Sequence, residues 1–432
     1  MIKKFKLAIL LILSVFLVLM IGCMGNAENL ENNDKEEGTG EIDSTQKDDT
    51  VVLKLWSWYS LKDVTRVFEE ENEGIIVEEK LFGFGECEEA YMEAITKGEG
   101  PDILIFDSGF FGTFTASGIL QDLLQEPFNA GKYKNDFLGW ESGLSIDNSE
   151  LLSLTINTSP YVSIYRADIM KEMGFPYEPE EFGEFIKEPE NVLEIAKKLK
   201  EDDKYIFQFP TDLPDLTGAT LGFFDENLEY TRFGDLFELS LDLAKETHQN
   251  ELELKKNFWN ETGKKALKED KLVMVTEGSY AMANFRRDIP EQSGLWRVTT
   301  PPLGLAAWAS DSRISINSQS NHKEEAWRVV EYIATHKSSG GETFDVVPGY
   351  IPVHGYGRNM NREEEYYGNQ SVYPKLEELA VDMVQYKLTP FDAQALQMYR
   401  DGVWEAADSS LPSEVHIEQM KEEIEETIEL AR

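Results

Sequence analysis

Aromatic rings recur beside carboxylates where short apolar runs end. Trp58 and Tyr59 follow Val51–Trp56, Phe82 and Phe84 with Glu86 follow the run that Gly74 opens, and Asp107, Ser108, Phe110 and Phe111 follow Ile103 to Phe106. Flat rings next to hydrogen-bonding groups suit a sugar, whose C–H faces stack on aromatics while its hydroxyls need donors and acceptors. A single such ring is about as often the cap of a hydrophobic core. Recurrence at three successive strand ends is what points to a common crevice.

Other chemistries lack their residues. Gly83-Phe84-Gly85 sits where a dinucleotide fingerprint would, but Glu88 occupies the third glycine position, and Glu86 and Glu89 would repel a pyrophosphate. The five histidines (His248, His322, His336, His354 and His416) show no metal-binding spacing and are expected on solvated surface. With two cysteines, Cys23 and Cys87, neither a disulfide framework nor a thiolate metal site can be assembled; Cys87 is expected as a half-buried helix residue. No GxSxG, P-loop or EF-hand loop occurs, so no cofactor and no metal are expected. Among so many carboxylates a glycosidase-like pair would arise by chance, which gives an enzymatic reading no specific support. Arg286-Arg287 could meet a phosphate or uronate, or simply cover a solvated helix face.

The elements that must position the rings follow from periodicity. Val51–Trp56 is a strand, Asp63 to Asn72 an amphipathic helix, Gly74 opens a second strand, residues 86–97 form a helix stopped by Gly98 and Gly100, and Ile103 to Phe106 is a third strand. This β-α-β-α-β order predicts an α/β fold with a mostly parallel sheet and a ligand crevice at the carboxyl ends of its strands. Beyond residue 160 the pattern is richer in helix, at 191–200, 233–247, 323–334 and 412–432. Shorter strands are expected at 272–275, 295–300 and 313–316. No period of 20 to 50 residues repeats, which sets aside solenoids and propellers.

Across 432 residues, Lys+Arg 41 against Asp+Glu 81 gives a formal charge of −40, which removes the attraction to phosphate on which nucleic-acid binding depends. Lys3, Lys4 and Lys6 precede an apolar run from Leu7 to Ile21, shorter than the roughly 20 residues needed to span a bilayer. Then come Gly22 and Cys23, a secretory leader by its layout. Leu19-Met20-Ile21-Gly22-Cys23 resembles a bacterial lipobox, which implies cleavage after residue 22 and a lipid on Cys23, palmitate included. Residues 24–50 are acidic, with too few apolar side chains to repay ordering, and are expected to be a disordered tether.

From Val51 to the last helix the chain resembles the family 1 extracellular solute-binding proteins, the lipoprotein sugar receptors of ABC importers related to maltose-binding protein. LKLWSW with VFEEENEGIIVEE resembles the family's opening strand, helix and strand, and ITKGEGPDILIFDSGFFGTFTASGILQDL its Gly-x-Gly-Pro-Asp block. SPYVSIYRADIMKEMGFP, RVTTPPLG and VVPGYIPVH resemble the three crossings between lobes, and MVTEGSYAMANF the Gly-x-aromatic ligand loop, with Tyr280 where tryptophan is common. In TPFDAQALQMYR, Leu396 stands in place of the family's large aromatic.

The resemblance implies a two-lobed periplasmic-binding-protein-like II fold with hinge crossovers and an interlobe ligand cleft. Lobe 1 would be 51–156 with 300–347, and lobe 2 would be 157–299 with 348–432. Lobe 1 would offer Trp58, Tyr59, Glu86, Asp107, Ser108, Phe110 and Trp308 to the ligand; lobe 2 would offer Tyr161, Tyr280 and Tyr350. The implied function is that of a non-enzymatic monomer on the extracellular face of the cytoplasmic membrane of a single-membrane bacterium. There it would capture a mono- or oligosaccharide and deliver it to ABC permease subunits. Two alternatives stay open: a ligand-free sensor or interaction lipoprotein on the same fold, and an exported carbohydrate-active enzyme.

Overall fold

The computed structural model describes residues 50–337, 344–355 and 357–431. The leader, Cys23 and tether residues 24–49 lie outside them, as does the side chain of His336. Strands β1 (Val51–Ser57), β2 (Ile75–Leu81) and β3 (Ile103–Asp107) form where their aliphatic and β-branched runs place them. β1 pairs in parallel with both β2 and β3, which requires crossovers. The helices Lys62–Glu71 and Cys87–Thr96 supply them, burying Thr65 and Phe68 from the first and Cys87, Tyr91 and Ile95 from the second. Cys87 is thus wholly buried rather than half-buried, and desolvation pushes its thiol up.

The expectation of a mostly parallel sheet holds only for these three strands. β4 (Leu154–Arg166), β5 (Met274–Gly278), β6 (Trp296–Thr299), β7 (Trp308–Ile316) and β8 (Val347–Pro348) make antiparallel pairs: β7 with β3 and β4, and β5, β6 and β8 with β4. The physical reason is the crossing itself. A chain that leaves one lobe and comes back runs in opposite directions through the same gap.

β4 is the spine of that crossing. Over its 13 residues it pairs first with β7 and β8, then, from Tyr161 onward, with β5 and β6. The register shifts at Ser159/Pro160, where proline withholds a ladder N–H as the partners change. Its first half sends Leu154 and Ile156 into a core with Leu53, Leu55, Ile105, Ile314 and Val330. Its second half sends Val162 and Ile164 into another, with Phe285, Trp296 and Leu376. Tyr165 enters a third, with Ile195, Leu199 and Leu243. Ala307, with Leu303 and Leu305 packed beside it, joins the third core. Residues 300–307, assigned to lobe 1 from the sequence, therefore pack with the second group.

The helices Pro189–Lys200, Asp235–Gln249 and Ser413–Ala431 form as expected, and a further one, Asp392–Asp408, packs Tyr399 and Val403 against Phe237, Leu241 and Ile424. Several histidines depart from the surface expectation. His416 is buried, His354 Nε2 lies 2.7 Å from the Pro348 carbonyl oxygen, and His248 bridges the carboxylates of Glu253 (2.6 Å) and Asp408 (3.0 Å). His322 is exposed. Among the described residues, no helix is long and apolar enough to cross a membrane.

Candidate functional site

The carboxyl ends of β1 and β3 carry an aromatic ledge. Trp58 meets Tyr59 edge-on at 5.2 Å and Phe84 at 5.7 Å, Phe84 meets Phe110 at 5.8 Å, and Phe110 leans on buried Phe114 at 6.3 Å. Phe84 is 52% exposed, an unusual state for a phenylalanine that neighbours could have covered. Tyr59 is anchored rather than free: its hydroxyl lies 2.8 Å from Ser312 Oγ on β7, and desolvation pushes the phenol up to about 12.

Asp107 ends β3 with its carboxylate turned back to accept the Gly109 N–H at 2.8 Å. Burial pushes that carboxyl up to about 6, and the nearby Asp311 charge adds to the effect. Ser108 is buried, and its hydroxyl accepts the Asp311 N–H at 3.0 Å. It holds the crossing together rather than facing a ligand.

The opposite wall is built on β4 and β5. Tyr161 stands opposite Gly278 in the register. Two residues on, Tyr280 folds its ring back over that glycine: a Cβ added at Gly278 would lie 2.3 Å from Tyr280 Cε1 and 2.8 Å from Ala309 Cβ. The Gly-x-aromatic spacing therefore has a steric cause. Only a residue without a side chain lets the tyrosine lie flat on the strand end. Tyr280 Oη donates to Glu277 Oε1 at 3.1 Å, and Trp259 Nε1 donates to Glu277 Oε2 at 3.3 Å. Burial, then Glu277, raises the Tyr161 phenol. The same two causes raise Tyr280, to which Asp107, arriving from β3, also contributes. Both walls adjoin β7, the first through the Tyr59–Ser312 hydrogen bond and the second through the packing of Gly278 against Ala309.

Glu277 and Trp259 were not singled out from the sequence, nor were Asp212, Asp215 and Arg400, which complete this wall. Asp212 opens the helix Asp212–Gly218 and accepts the N–H groups of Gln208 (2.7 Å) and Phe209 (3.2 Å); burial still pushes it up to about 8. Arg400 Nε donates to both oxygens of Asp215, at 3.0 and 3.1 Å. Glu277 lies inside the quoted MVTEGSYAMANF block, so its signal was present. Arg400 closes the TPFDAQALQMYR block, whereas Trp259, Asp212 and Asp215 sit in segments whose periodicity gave no element.

Trp308, Glu86 and Tyr350 have unlike surroundings. Trp308 is 4% exposed, with Nε1 donating to Asp311 Oδ1 at 2.8 Å and its ring edge-on to Tyr386 at 4.8 Å. It is packed into the hinge. Glu86 is exposed in the turn Phe84–Glu86, its carboxylate lying toward Gly83. Tyr350 packs on Phe137 (5.3 Å) and Tyr133 (6.2 Å) beside the first core. The backbone explains it: Gly349 donates to the Ile156 carbonyl and accepts from Leu138 N–H, which holds this turn against the 137–140 segment.

Between the walls lies a buried polar hinge. Asp311, 1% exposed, accepts from Trp308 Nε1 (2.8 Å) and Gln385 Nε2 (3.0 Å) on one oxygen and from Arg313 Nη2 (2.7 Å) and Thr155 Oγ1 (3.3 Å) on the other. Gln385 also donates to Thr158 Oγ1 at 2.7 Å, so a late segment of the chain clamps β4 and β7 together. Among the described residues, no group of three or more His, Cys, Asp or Glu side chains is arranged to hold a metal ion.

The raised carboxyls give a signed expectation. Native Asp212 keeps its proton up to about pH 8, whereas the unfolded chain releases it near 3.8; the native state thus binds more protons, and stability falls as pH rises through that window. Asp107 acts in the same direction up to about pH 6. Asp212→Asn should therefore narrow the drop in melting temperature between pH 5 and pH 8.5 by about 2–4 °C. Equal drops in both proteins, measured by calorimetry, would mean that Asp212 ionises freely in the fold.

No curated protein sequence matches the chain. Three solved structures resemble it across nearly their whole length. The galacto-N-biose/lacto-N-biose I-binding protein of a Bifidobacterium longum ABC transporter is 17% identical, with a TM-score of 0.68 over 87% of this chain and 96% of that one. An ABC-transporter-associated binding protein from B. animalis subsp. lactis, in complex with β-1,6-galactobiose, is 20% identical, with a TM-score of 0.66 over 87% and 97%. The sugar-binding protein MalE of Xanthomonas citri is 15% identical, with a TM-score of 0.66 over 87% and 97%. At these identities the likeness establishes the two-lobed α/β fold with its hinge crossovers and interlobe cleft. The family model for bacterial extracellular solute-binding proteins matches residues 59–339, most of the described chain, and with the fold and hinge already laid out, the protein belongs to that family.

Proposed function

We propose that this protein is the capture subunit of an ABC-type carbohydrate importer. It binds a mono- or oligosaccharide between its lobes and delivers it to separate permease subunits, without chemical turnover and as a monomer. The reading is carried by two unlike ring-bearing walls that both adjoin β7, through Ser312 and Ala309. One is the partly exposed ledge of Trp58, Phe84 and Phe110; the other is the Tyr161, Tyr280 and Trp259 wall with Glu277 between its rings. Rings for C–H faces and carboxylates for hydroxyls are the complement of a sugar. The sugars named for the similar B. longum and B. animalis proteins support this class. Trp58, Tyr59, Asp107, Phe110, Tyr161 and Tyr280 remain in the proposed site. Glu86, exposed in the same turn as Phe84, stays beside them, whereas Ser108, Trp308 and Tyr350 are packed away from it.

The lobes are taken as 51–156 with 308–347, and 157–307 with 348–432, joined by β4, β7 and β8. Closing the gap brings the walls onto the ligand, and the binding free energy available only in the closed form sets how far the equilibrium shifts. A lipid on Cys23 and the acidic residues 24–49 would hold the receptor at the outer face of the cytoplasmic membrane.

A thermal-shift panel of neutral, amino and acidic mono- and oligosaccharides tests the reading. A ligand at 100 times its dissociation constant adds about 2.7 kcal/mol of stability. One sugar class should give a saturable upward shift with no product by chromatography. Flat melts across the panel would refute carbohydrate capture, and accumulating product would refute the non-enzymatic reading.

A further inference from the structure

We infer that residues 383–391 form a strap between the lobes, and that its three bearing points on lobe 1, at Gly139, Asn148 and Gly112, set the lobe angle and with it the affinity for sugar. The inference rests on the receptor reading above and its division into lobes, and adds positioning residues outside the ring walls. The strap is neither helix nor strand and joins the helix Tyr373–Asp382 to the helix Asp392–Asp408. Both its ends are fixed to lobe 2. Met383, Tyr386 and Leu388 pack into the core that holds Val162 and Ile164, and Phe391 packs with Tyr399 and Val403.

The contacts with lobe 1 alternate along the strap. Gln385, whose Nε2 donates to Thr158 and Asp311, turns its Oε1 onto Gly139. Gly139 has φ +64°, and a Cβ there would overlap that oxygen, so the approach requires glycine. Two residues on, Lys387 Nζ donates to Asn148 Oδ1 and, at 3.4 Å, to the Ile146 carbonyl. Two further on, the Thr389 carbonyl lies against Gly112, where a Cβ would overlap it. The lobe 1 side is itself anchored. Phe137, Trp140 and Leu144 belong to the first core, and Phe111 and Phe114, beside Gly112, to a core with Trp56 and Leu104.

Between these points the fit is open. One cleft of about 340 Å³, lined by Glu141, Asn148, Phe224 and Lys387 among others, borders the strap, and so does a second of about 330 Å³, lined by Phe137, Trp140, Val381 and Gln385 among others. Surfaces that touch at isolated points can change angle without the repacking that a filled core demands. Rotation about β4, β7 and β8 must slide or part the three contacts, so their fit biases the balance between lobe angles on which binding depends.

Spin labels on Glu99→Cys and Glu261→Cys, exposed positions of lobes 1 and 2, report the lobe angle in the full chain carrying Cys23→Ser; Cys87 is buried and escapes labelling. Lys387→Ala should widen the distance distribution of the ligand-free protein, and Gly112→Ala should move its mean. Gluco- and galacto-configured sugars, neutral and 2-amino, as monosaccharides and β-linked dimers, are then titrated calorimetrically. All that bind should change in affinity by one common factor, about three- to tenfold for Lys387→Ala, because a shift in the competent fraction scales every dissociation constant alike. A variant whose ligand-free distance moves toward the sugar-bound value should bind more tightly, and one that moves away more weakly. Lys387 is half-buried at the surface, so its variant carries the test even where Gly112→Ala unfolds the chain.

A distance distribution that Lys387→Ala leaves unchanged overturns the strap, as do affinities that do not move with the distances. Factors that differ between sugars by more than about threefold overturn it too, since they mark direct contact with the ligand. In each of these cases the receptor reading stands. Altered distances with silence from every sugar uphold the strap's hold on the lobes and overturn the receptor reading.

Discussion

Asp311→Ala should cost about 3–5 kcal/mol of unfolding free energy, because it leaves the Arg313 guanidinium, 1% exposed, without its counter-charge in a dry interior. The loss does not stop at the ion pair. Trp308 Nε1, Gln385 Nε2 and Thr155 Oγ1 lose an acceptor together, in a place where water cannot replace it. Against a stability of about 5–15 kcal/mol for a typical folded domain, that is a large share. Urea unfolding followed by tryptophan fluorescence measures it. The paired change Asp311→Ala with Arg313→Met should recover most of the loss, since removing both buried charges is often neutral. A single-variant loss below about 1 kcal/mol would show that solvent reaches Arg313 and that the hinge is wet.

Gly278→Ala should remove ligand binding with a smaller effect on stability. The new methyl would fall 2.3 Å from Tyr280 Cε1 and 2.7 Å from Cζ, with Ala309 Cβ at 2.8 Å blocking the other side, so the ring must leave its seat. Overpacking of this kind costs about 1–3 kcal/mol of stability. Losing a central aromatic anchor typically costs 2 kcal/mol or more of binding, about 30-fold in affinity. Tyr280→Phe is the control: it keeps the ring and removes only the hydrogen bond to Glu277, so affinity should fall by less than about tenfold. If Gly278→Ala bound the sugar as the unaltered protein does, the Tyr280 ring would not be part of the wall.

What could be read in advance follows from which forces leave a local trace. β1 to β3 were legible because β-branched runs broken by Gly74 and Gly100 encode both strand and punctuation, and the helices Pro189–Lys200 and Asp235–Gln249 because their apolar stripes are periodic. β7 was expected only from Arg313, yet it begins at Trp308. Its first half, Trp-Ala-Ser-Asp-Ser, looks like a loop because its polar side chains are satisfied by partners far along the chain, as when Asp311 meets Thr155 and Gln385. The hydrogen bond from the Trp308 indole to Asp311 likewise leaves no local trace. The rings Trp58, Phe110 and Tyr280 do stand just past the ends of β1, β3 and β5. Trp259 gave no signal, since no pattern marks its segment, and Arg400, though it closes the TPFDAQALQMYR block, is a lone cation whose partner Asp215 lies far along the chain.

The hinge also bears on how the chain reaches its native state. Its bonds join residues far apart in sequence: 156 positions between Thr155 and Asp311, 203 between Ser108 and Asp311, and 227 between Thr158 and Gln385. Each requires closing a long loop before any contact rewards it, whereas the β1–β2 crossover with the helix Lys62–Glu71 closes over a short stretch of chain. High contact order of this kind makes folding slow and sets a sequence of events: local β-α-β units first, the clamp between β4, β7 and Gln385 last. A nascent chain that has not yet reached Gln385 thus holds β1 to β8 without the Gln385 clamp on Thr158 and Asp311, which is among the last contacts to be made.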